Sequence, residues 1–380
     1  MKGLVPEIRF KGFTDDWVQR KASEIFISIS DKNHPNLPVL SATQALGMVL
    51  RDEIGIDIKF DKTNINSYKR VLPGQFVIHL RSFQGGLAHS NTEGITSPAY
   101  TILDFCQKEK QYPKFWIDIL RSEKFIKSLE AITYGIRDGR SISFKDFAIL
   151  KLSFPNIKEQ IIIGNFFRTL DDTITNQQGK LDKLKELKKG YLQQMFPQMG
   201  DSVPRARFSG FEGEWEERKL GKVAKIVAGG DVDKSKLLPV GEYPVIANAL
   251  TNSGIIGYYN DSFLIEAPAV TVTGRGDVGF AQARKTNFTP VVRLLVVKSE
   301  HDIDFLENAI NNLNVFVEST SIPQLTVPQL AKYEICFPDL LEQIAIGNFF
   351  FNLDEQIALQ SQKLEQLKQL KVAYLQKMFV

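Results

Sequence analysis

The stretch AVTVTGRGDVGF, residues 269–280, places Gly274, Gly276 and Gly279 in the spacing G-x-G-x-x-G directly after a β-branched run. Such glycines let backbone approach a nucleotide pyrophosphate at the mouth of a helix. That chemistry needs the helix to open on the glycines, inside a strand–helix–strand unit. After Gly279 the chain reads FAQARKTNFTP and then returns to a β-like run at Val291. Too few residues remain for a crossover helix of about a dozen. Arg275-Gly276-Asp277 also spells an adhesion tripeptide. The third use of the stretch is a strand-end loop, with glycines for positive φ and Arg275 as a polar reader.

Other chemistry-bearing residues are sparse. His34, His79, His89 and His301 stand at no metal-ligand spacing to one another or to a cysteine. Cys106 and Cys336 are far apart and form no C-x-x-C, which reads as two reduced thiols in a cytoplasmic protein. An extracellular adhesive role is disfavoured by the same reading. No G-x-x-x-x-G-K-S/T phosphate loop, no N/D-P-P-F/Y methyltransferase motif and no nuclease-like carboxylate cluster is found. The start, MKGLVPEIRF, lacks an apolar leader, and no run of 18 apolar residues suggests a membrane span. At 380 residues and 43% hydrophobic content, the chain suits two folded domains.

The elements that must position these loops come from a duplication. RFKGFTDDW (9–17) returns as RFSGFEGEW (207–215), EQIIIGNFF (159–167) as EQIAIGNFF (342–350), and KLDKLKELKKGYLQQMF (180–196) as KLEQLKQLKVAYLQKMF (363–379). Each half has a shared opening, a divergent middle and a shared helical end. Leu170, Ile174, Leu181, Leu184, Leu187, Tyr191, Leu192 and Met195 recur at spacings of three, four and seven. Leu353, Ile357, Leu364, Leu367, Leu370, Tyr374, Leu375 and Met378 match them one for one. These stripes predict two long amphipathic helices. The helices either bury their stripes against each other as a coiled pair, the preferred reading, or pack each on its own globular domain. Asn156-x-x-Glu159 and Asp339-x-x-Glu342 fit N-caps with a reaching carboxylate, and Pro197 stops the first helix. Strands are predicted at 74–80, 147–154, 268–273 and 291–297, and helices at 112–129 and 302–317. The fold class is α/β: two α/β domains from an internal duplication, separated by two long α-helices forming an antiparallel coiled coil. The segments are 1–153, a helical spacer 154–198, a linker and second domain 199–336, and a second helical spacer 337–380.

Aligning FVIHLRSFQGGLAHS with AVTVTGRGDVGFAQA sets Arg81-Ser82-Phe83-Gln84-Gly85-Gly86 opposite the glycine loop, without G-x-G-x-x-G. A cofactor fingerprint would not vary so freely between halves that share one job. With the repeat and these loops together, the chain resembles the specificity subunit of type I DNA restriction–modification systems. The residues carrying the resemblance are Arg9-Phe10, Gly12-Phe13 and Trp17, with Arg207-Phe208, Gly210-Phe211 and Trp215. Three later blocks, at 80–103, 139–160 and 319–343, carry it too, and it covers essentially the whole chain.

The resemblance implies two target-recognition domains, each reading one half of a split site in double-stranded DNA. It implies helices that pack antiparallel as a spacer, two methyltransferase subunits docked on this chain, and restriction subunits joining them. S-adenosylmethionine, ATP and Mg would then belong to those partners, and this chain would be non-catalytic, with no cofactor or metal of its own. Arginine pairs with guanine and Asn or Gln with adenine by geometry. The candidate DNA-binding residues are therefore Arg81, Ser82, Gln84, Arg137, Arg140 and Ser141 in the first domain. In the second they are Asn248, Thr251, Asn252, Arg275 and Ser321. Trp17 and Trp215 repeat and read as core anchors. Phe166, Phe167, Phe349 and Phe350 repeat as well, and suit either partner docking or internal packing. Residues 207–336 carry 13 Lys and Arg against 16 Asp and Glu, so a phosphate clamp there must be local. A coiled-coil scaffold that binds only protein, and a nucleotide-binding enzyme using 274–279, are the two rival readings.

Overall fold

The computed structural model describes every residue except 1–3, 45, 55–61, 134–141, 199, 314 and 316–322. The chain forms two compact units. One is Met1–Asn176 with Leu364–Val380, and the other is Gln177–Lys363.

The first unit is built on a four-stranded antiparallel sheet in the order Phe26–Ile29, Thr101–Phe105, Phe76–Ile78, Ala88–His89. Its central strands are apolar runs buried on both faces, and Phe26, Phe76, Phe105, Trp116 and Phe147 fill the core around them. The second unit repeats this sheet with Ala224–Ala228, Leu294–Ser299, Ala269–Thr273 and Ala281–Arg284. In each unit a short ribbon closes the α/β part just before the long helix. It pairs Val18–Lys21 with Lys151–Phe154 in one, and Glu216–Lys219 with Glu334–Phe337 in the other. A second hairpin flanks each sheet, Leu40–Thr43 with Gly47–Leu50 and Tyr243–Ile246 with Ile255–Tyr259.

Several expected elements are shorter than their apolar runs. The helix predicted over 112–129 is two helices, Pro113–Ile119 and Glu123–Ala131. The break falls where the Ser122 hydroxyl accepts the Phe125 N–H and starts the second one. The strand predicted over 147–154 is strand only at Lys151–Phe154, because Ser143 caps a helical turn at Phe144–Ala148. The run from Val291 becomes strand at Leu294, after Arg293 turns through φ +75°.

The long helices are Ile157–Met195 and Leu340–Lys377, about 60 Å each at 1.5 Å per residue. Both N-caps form: Asn156 accepts from Glu159 N–H and Asp339 from Glu342 N–H. The two glutamates, however, do not reach back to the cap. Glu159 takes a two-pronged pair of bonds from Arg9, both 2.7 Å, and Glu342 takes the same pair from Arg207. Both carboxylates are fully buried, and the pairing raises both arginines above their ordinary pKa. The repeated Arg-Phe of each opening is therefore a structural clasp on the start of a helix.

Each unit contains the beginning of one long helix and the end of the other. In the first unit Phe166 stacks edge-on against Tyr374 at 5.1 Å, and Lys371 bonds Asp171. In the second, Phe349 meets Tyr191 at 5.0 Å and Lys188 bonds Asp354 at 2.7 Å. The helices thus pair antiparallel within each unit, and each contact recurs with the roles of the repeats exchanged. Trp17 and Trp215 are core residues, 2% and 3% exposed. Trp17 packs on Phe379, from the end of the second helix, and Trp215 on Phe196, from the end of the first. The four segments read from sequence are consequently not four bodies, since the compact units divide each helix at 176/177 and 363/364.

The seam follows a strict four–three alternation: Leu170, Ile174, Gln177, Leu181, Leu184, Lys188, Tyr191, Met195, with the same eight positions in the second helix. Leu170, Leu181, Leu353 and Leu364 are buried, and Ile174, Leu184, Ile357 and Leu367 half-buried. Leu187 and Leu370, counted in the stripe by their type, are exposed. Gln177 and Gln360, equivalent in the two repeats, bond each other instead. Phe167 and Phe350 are fully buried, while Phe166 and Phe349 pack on Phe10 and Phe208 and on the tyrosines. The phenylalanine pairs pack internally, one of the two uses their repetition suited; adjacent helix positions put one ring in the core and one, half-buried, in the helix seam.

Candidate functional site

The glycine loop is the tip of a hairpin. Ala269–Thr273 runs out, residues 274–280 turn, and Ala281–Arg284 pairs straight back. No helix follows the glycines, so the loop lacks the helix mouth that a dinucleotide cradle requires. The glycines answer to space and backbone conformation. A Cβ on Gly274 would lie 2.4 Å from the Arg293 carbonyl, and Gly276 and Gly279 have φ of +76° and +85°. The loop is wired to its surroundings through Leu325 N–H to Gly274 O, Gly276 N–H to Pro323 O, and Gly279 N–H to Thr273 O.

Asn248 meets this loop from the tip of the flanking hairpin. Its Oδ1 accepts the N–H groups of Gly274 and Arg275 at 2.6 and 3.2 Å, and its Nδ2 donates to Arg275 O at 2.7 Å. Asn248 is half-buried, and three of the four hydrogen-bonding positions of its amide hold the loop. Thr251 and Asn252 are exposed at the same tip. The chain turns there through three successive left-handed residues, Asn252, Ser253 and Gly254, an arrangement costly for non-glycine residues. Arg284 braces the turn, donating to Ser253 O at 2.9 Å and to Thr271 Oγ1 at 3.0 Å. Burial lowers the Arg284 pKa to about 10. Arg275 itself is half-buried. Among the described residues its side chain has no hydrogen-bond or ion-pair partner.

The first unit places its loop on the corresponding hairpin, Phe76–Ile78 with Ala88–His89. Arg81 and Gln84 are exposed in the connection. Ser82 is not: it is fully buried, and its hydroxyl accepts the His79 N–H at 2.9 Å, fixing the helical turn Ser82–Gly85. That corrects its reading as a DNA contact. His79 accepts the Arg81 N–H through Nδ1. Burial pulls both His79 and His89 down to about 4, so each is a neutral structural imidazole at neutral pH. Arg137, Arg140, Ser141 and Ser321 lie outside the described residues.

Sequence reasoning missed the flanking hairpins. In the first unit the tip residue Gln44 packs on the loop, its Cγ only 2.8 Å from where a Cβ on Gly85 would sit. In the second, Asn248 grips Gly274 and Arg275. Each flanking tip also exposes a leucine, Leu46 and Leu250, 73% and 47% accessible. The signal available was the polar-apolar-turn composition between two short β-like runs, which alone does not say which loops meet. Among the described residues, no group of three or more His, Cys, Asp or Glu is placed to hold a metal ion, and no helix is long and apolar enough to cross a membrane.

Comparison with known proteins agrees with this architecture. The family described as "Type I restriction modification DNA specificity domain" matches residues 212–369. Among curated proteins, the Mycoplasma pneumoniae type I specificity subunit S.MpnORF507P is 27% identical over 210 residues, covering 53% of this chain and 55% of that one. The subunit S.MpnORF89P of the same organism is 32% identical over 38% of this chain and 48% of its own. The C-terminal S.MpnORF289P chain is 33% identical, with 73% of its length and 26% of this chain covered. The alignments thus span about half the length of the first two relatives. Among solved structures, the S subunit of a type I restriction–modification system from M. genitalium superposes with a TM-score of 0.67 at 14% identity, covering 99% of both chains. A chain from a structure of type I complex assembly gives 0.55 at 16% identity, covering 96% of this chain and 97% of that one. These likenesses carry the fold, two α/β units and two long helices, and with the sequence matches they place the chain in the family of type I restriction–modification specificity subunits.

Proposed function

We propose that this chain is the sequence-reading component of a type I restriction–modification complex. Each α/β unit reads one part of a bipartite site in duplex DNA through its paired hairpin tips. The long helices set the gap between the parts and carry the methyltransferase subunits, which restriction subunits join. The chain contributes recognition. Methyl transfer from S-adenosylmethionine, and the chemistry needing ATP and Mg, reside in the partners.

One observation carries this reading. The framework contacts recur pair for pair, Arg9–Glu159 with Arg207–Glu342, Trp17–Phe379 with Trp215–Phe196 and Asp171–Lys371 with Asp354–Lys188. The tips do not recur: Arg81 and Gln84 stand on one, Arg275 on the other. A duplicated frame with unlike tips suits two unlike DNA words. The acidic balance of residues 207–336 fits a chain whose partners supply much of the phosphate neutralisation. Ile161, Ile162, Leu341 and Ile344, exposed in the first turns of the long helices, are the proposed docking residues in place of the phenylalanines.

The test replaces residues 207–336 with the corresponding segment of another family member, in the complete complex. Methylated-site sequencing should show one half of the recognition sequence changed and the other retained. If both halves change, or neither does, modular reading is wrong.

A further inference from the structure

We propose that Asn248 is a positioning residue for recognition: it fixes the pose of Arg275, so that the flanking tip determines how the central tip reads its base. This rests on the DNA-reading proposal above and adds a residue whose role is indirect.

The geometry commits three of the four hydrogen-bonding positions of the Asn248 amide to the loop, both lone pairs of Oδ1 and one N–H of Nδ2. One carboxamide accepts the N–H of Gly274 and of Arg275 and donates to the carbonyl of Arg275. Both backbone polar groups of Arg275 are thereby tied to a single side chain. The flanking peptide units are tied on the other side, Gly274 O to Leu325 N–H and Gly276 N–H to Pro323 O. Gly274 cannot shift toward a larger residue, because its Cβ would meet the Arg293 and Leu325 carbonyls at 2.4 and 3.0 Å. Asn248 is held in turn. Its tip is closed by Ala247 N–H to Gly254 O and by the Arg284 bond to Ser253 O. On this fixed backbone the Arg275 guanidinium makes no hydrogen bond or ion pair among the described residues.

A guanidinium reads guanine O6 and N7 with two parallel bonds, which demands a defined backbone origin. A loop that had to order itself on binding would give back part of the discrimination as lost entropy. The first unit supports the principle independently, since Gln44 of its flanking tip packs directly on Gly85 of its central loop. The contact between tips is therefore kept in both units while its chemistry differs.

The experiment uses the full chain in complex with its methyltransferase subunits. The site is read by sequencing methylated members of a randomised duplex library. Arg275→Ala should relax one base position in one half-site, which identifies the position. Asn248→Ala should relax that same position by about 5- to 100-fold in preference, leave the other positions intact, and add nothing when combined with Arg275→Ala. A merely structural role would weaken the half-site as a whole. The proposal is overturned if Asn248→Ala leaves the Arg275 position as strict as wild type, or if it relaxes a different position additively with Arg275→Ala. It is also overturned if Arg275→Ala relaxes nothing, an outcome that leaves DNA reading by the chain intact. Should Asn248→Ala lose the entire half-site, Asn248→Asp decides, because it keeps the two accepted bonds and loses the donated one. Relaxation at the Arg275 position alone supports the proposal, and wild-type behaviour or loss of the half-site refutes it. A wild-type complex that selects no bipartite site refutes the DNA-reading proposal and this one with it.

Discussion

Replacing Phe196 with alanine should destabilise the second unit, Gln177–Lys363, and replacing Phe379 should destabilise the first, more mildly. Phe196 is 4% exposed and its ring lies 5.4 Å from Phe305, 6.0 Å from Trp215 and 6.1 Å from Phe350, all in the second core. Phe379 is half-buried and lies 5.6, 5.8 and 6.2 Å from Phe167, Phe115 and Trp17 in the first. Truncating a buried phenylalanine costs about 3–5 kcal/mol, from lost transfer and the cavity left behind. Phe196→Ala should cost that amount, and the partly exposed Phe379 about 2–3 kcal/mol on the same scale. Against a domain stability of about 5–15 kcal/mol, either is a large share. Hydrogen exchange read by mass spectrometry resolves the two units. Amides of Leu294–Ser299 should exchange about 10²- to 4 × 10³-fold faster in Phe196→Ala, since each 1.4 kcal/mol is tenfold, with Thr101–Phe105 close to wild type. Phe379→Ala should do the reverse, more mildly. If Phe196→Ala loosens Thr101–Phe105 and spares Leu294–Ser299, the exchange of helix ends between units is wrong.

Arg207→Ala should destabilise the second unit by about 3–5 kcal/mol by stranding the buried Glu342 carboxylate, and Arg207→Met with Glu342→Leu should recover most of that in thermal unfolding. Lowering the pH should weaken the first unit. His79 and His89 take up protons near 6.5 when unfolded but only near 4 when folded, whereas Asp118, pushed up to about 6 by burial, binds its proton earlier in the folded state. Between pH 6 and 4.5 these three groups leave the unfolded chain about one proton richer, so stability falls by about 1.4 kcal/mol per pH unit, and His79→Gln with His89→Gln should reverse that slope in pH-dependent denaturation. Arg275→Ala should cost about 1–3 kcal/mol in binding the selected site over random duplex, measured by competition; equal loss on both would make it a phosphate contact. Adding one heptad to each long helix keeps the four–three seam and adds about 10.5 Å, so methylated-site sequencing should show the gap longer by about three base pairs at ~3.4 Å each; an active variant with an unchanged gap refutes the spacer role.

The repeats, the two long helices and the strand-loop-strand nature of the glycine stretch were legible because each is written in local pattern. What escaped was decided by residues far apart in the chain. Glu159 and Glu342 fit a capping spacing, but a buried carboxylate gains more from a two-pronged guanidinium than from one backbone N–H, and Arg9 stands 150 positions away. The two helical stripes match residue for residue, so no pattern could say that each helix end belongs in the other repeat's core. Leu187 and Leu370 look like seam residues by type. Lys188 and Lys371 hold the seam positions because Asp354 and Asp171 wait opposite, which composition does not reveal.

The loops were hardest to read for a different reason. A loop leaving a buried strand must find partners for its own N–H and C=O groups, and the side chains that serve, Ser and Asn, are also those that suit base edges. Ser82 and Asn248 went to the first task. They accomplish it differently, one by closing a helical turn, the other by bridging from a second hairpin. In both units the bonds that hold the tip are made within the unit's own α/β part and involve none of the clasp residues Arg9, Glu159, Arg207 and Glu342, nor the paired lysines and aspartates of the helices. Tip sequence can therefore change as a block while the frame stays fixed, and a change confined to the tip's outward residues should alter what is read without altering what is folded.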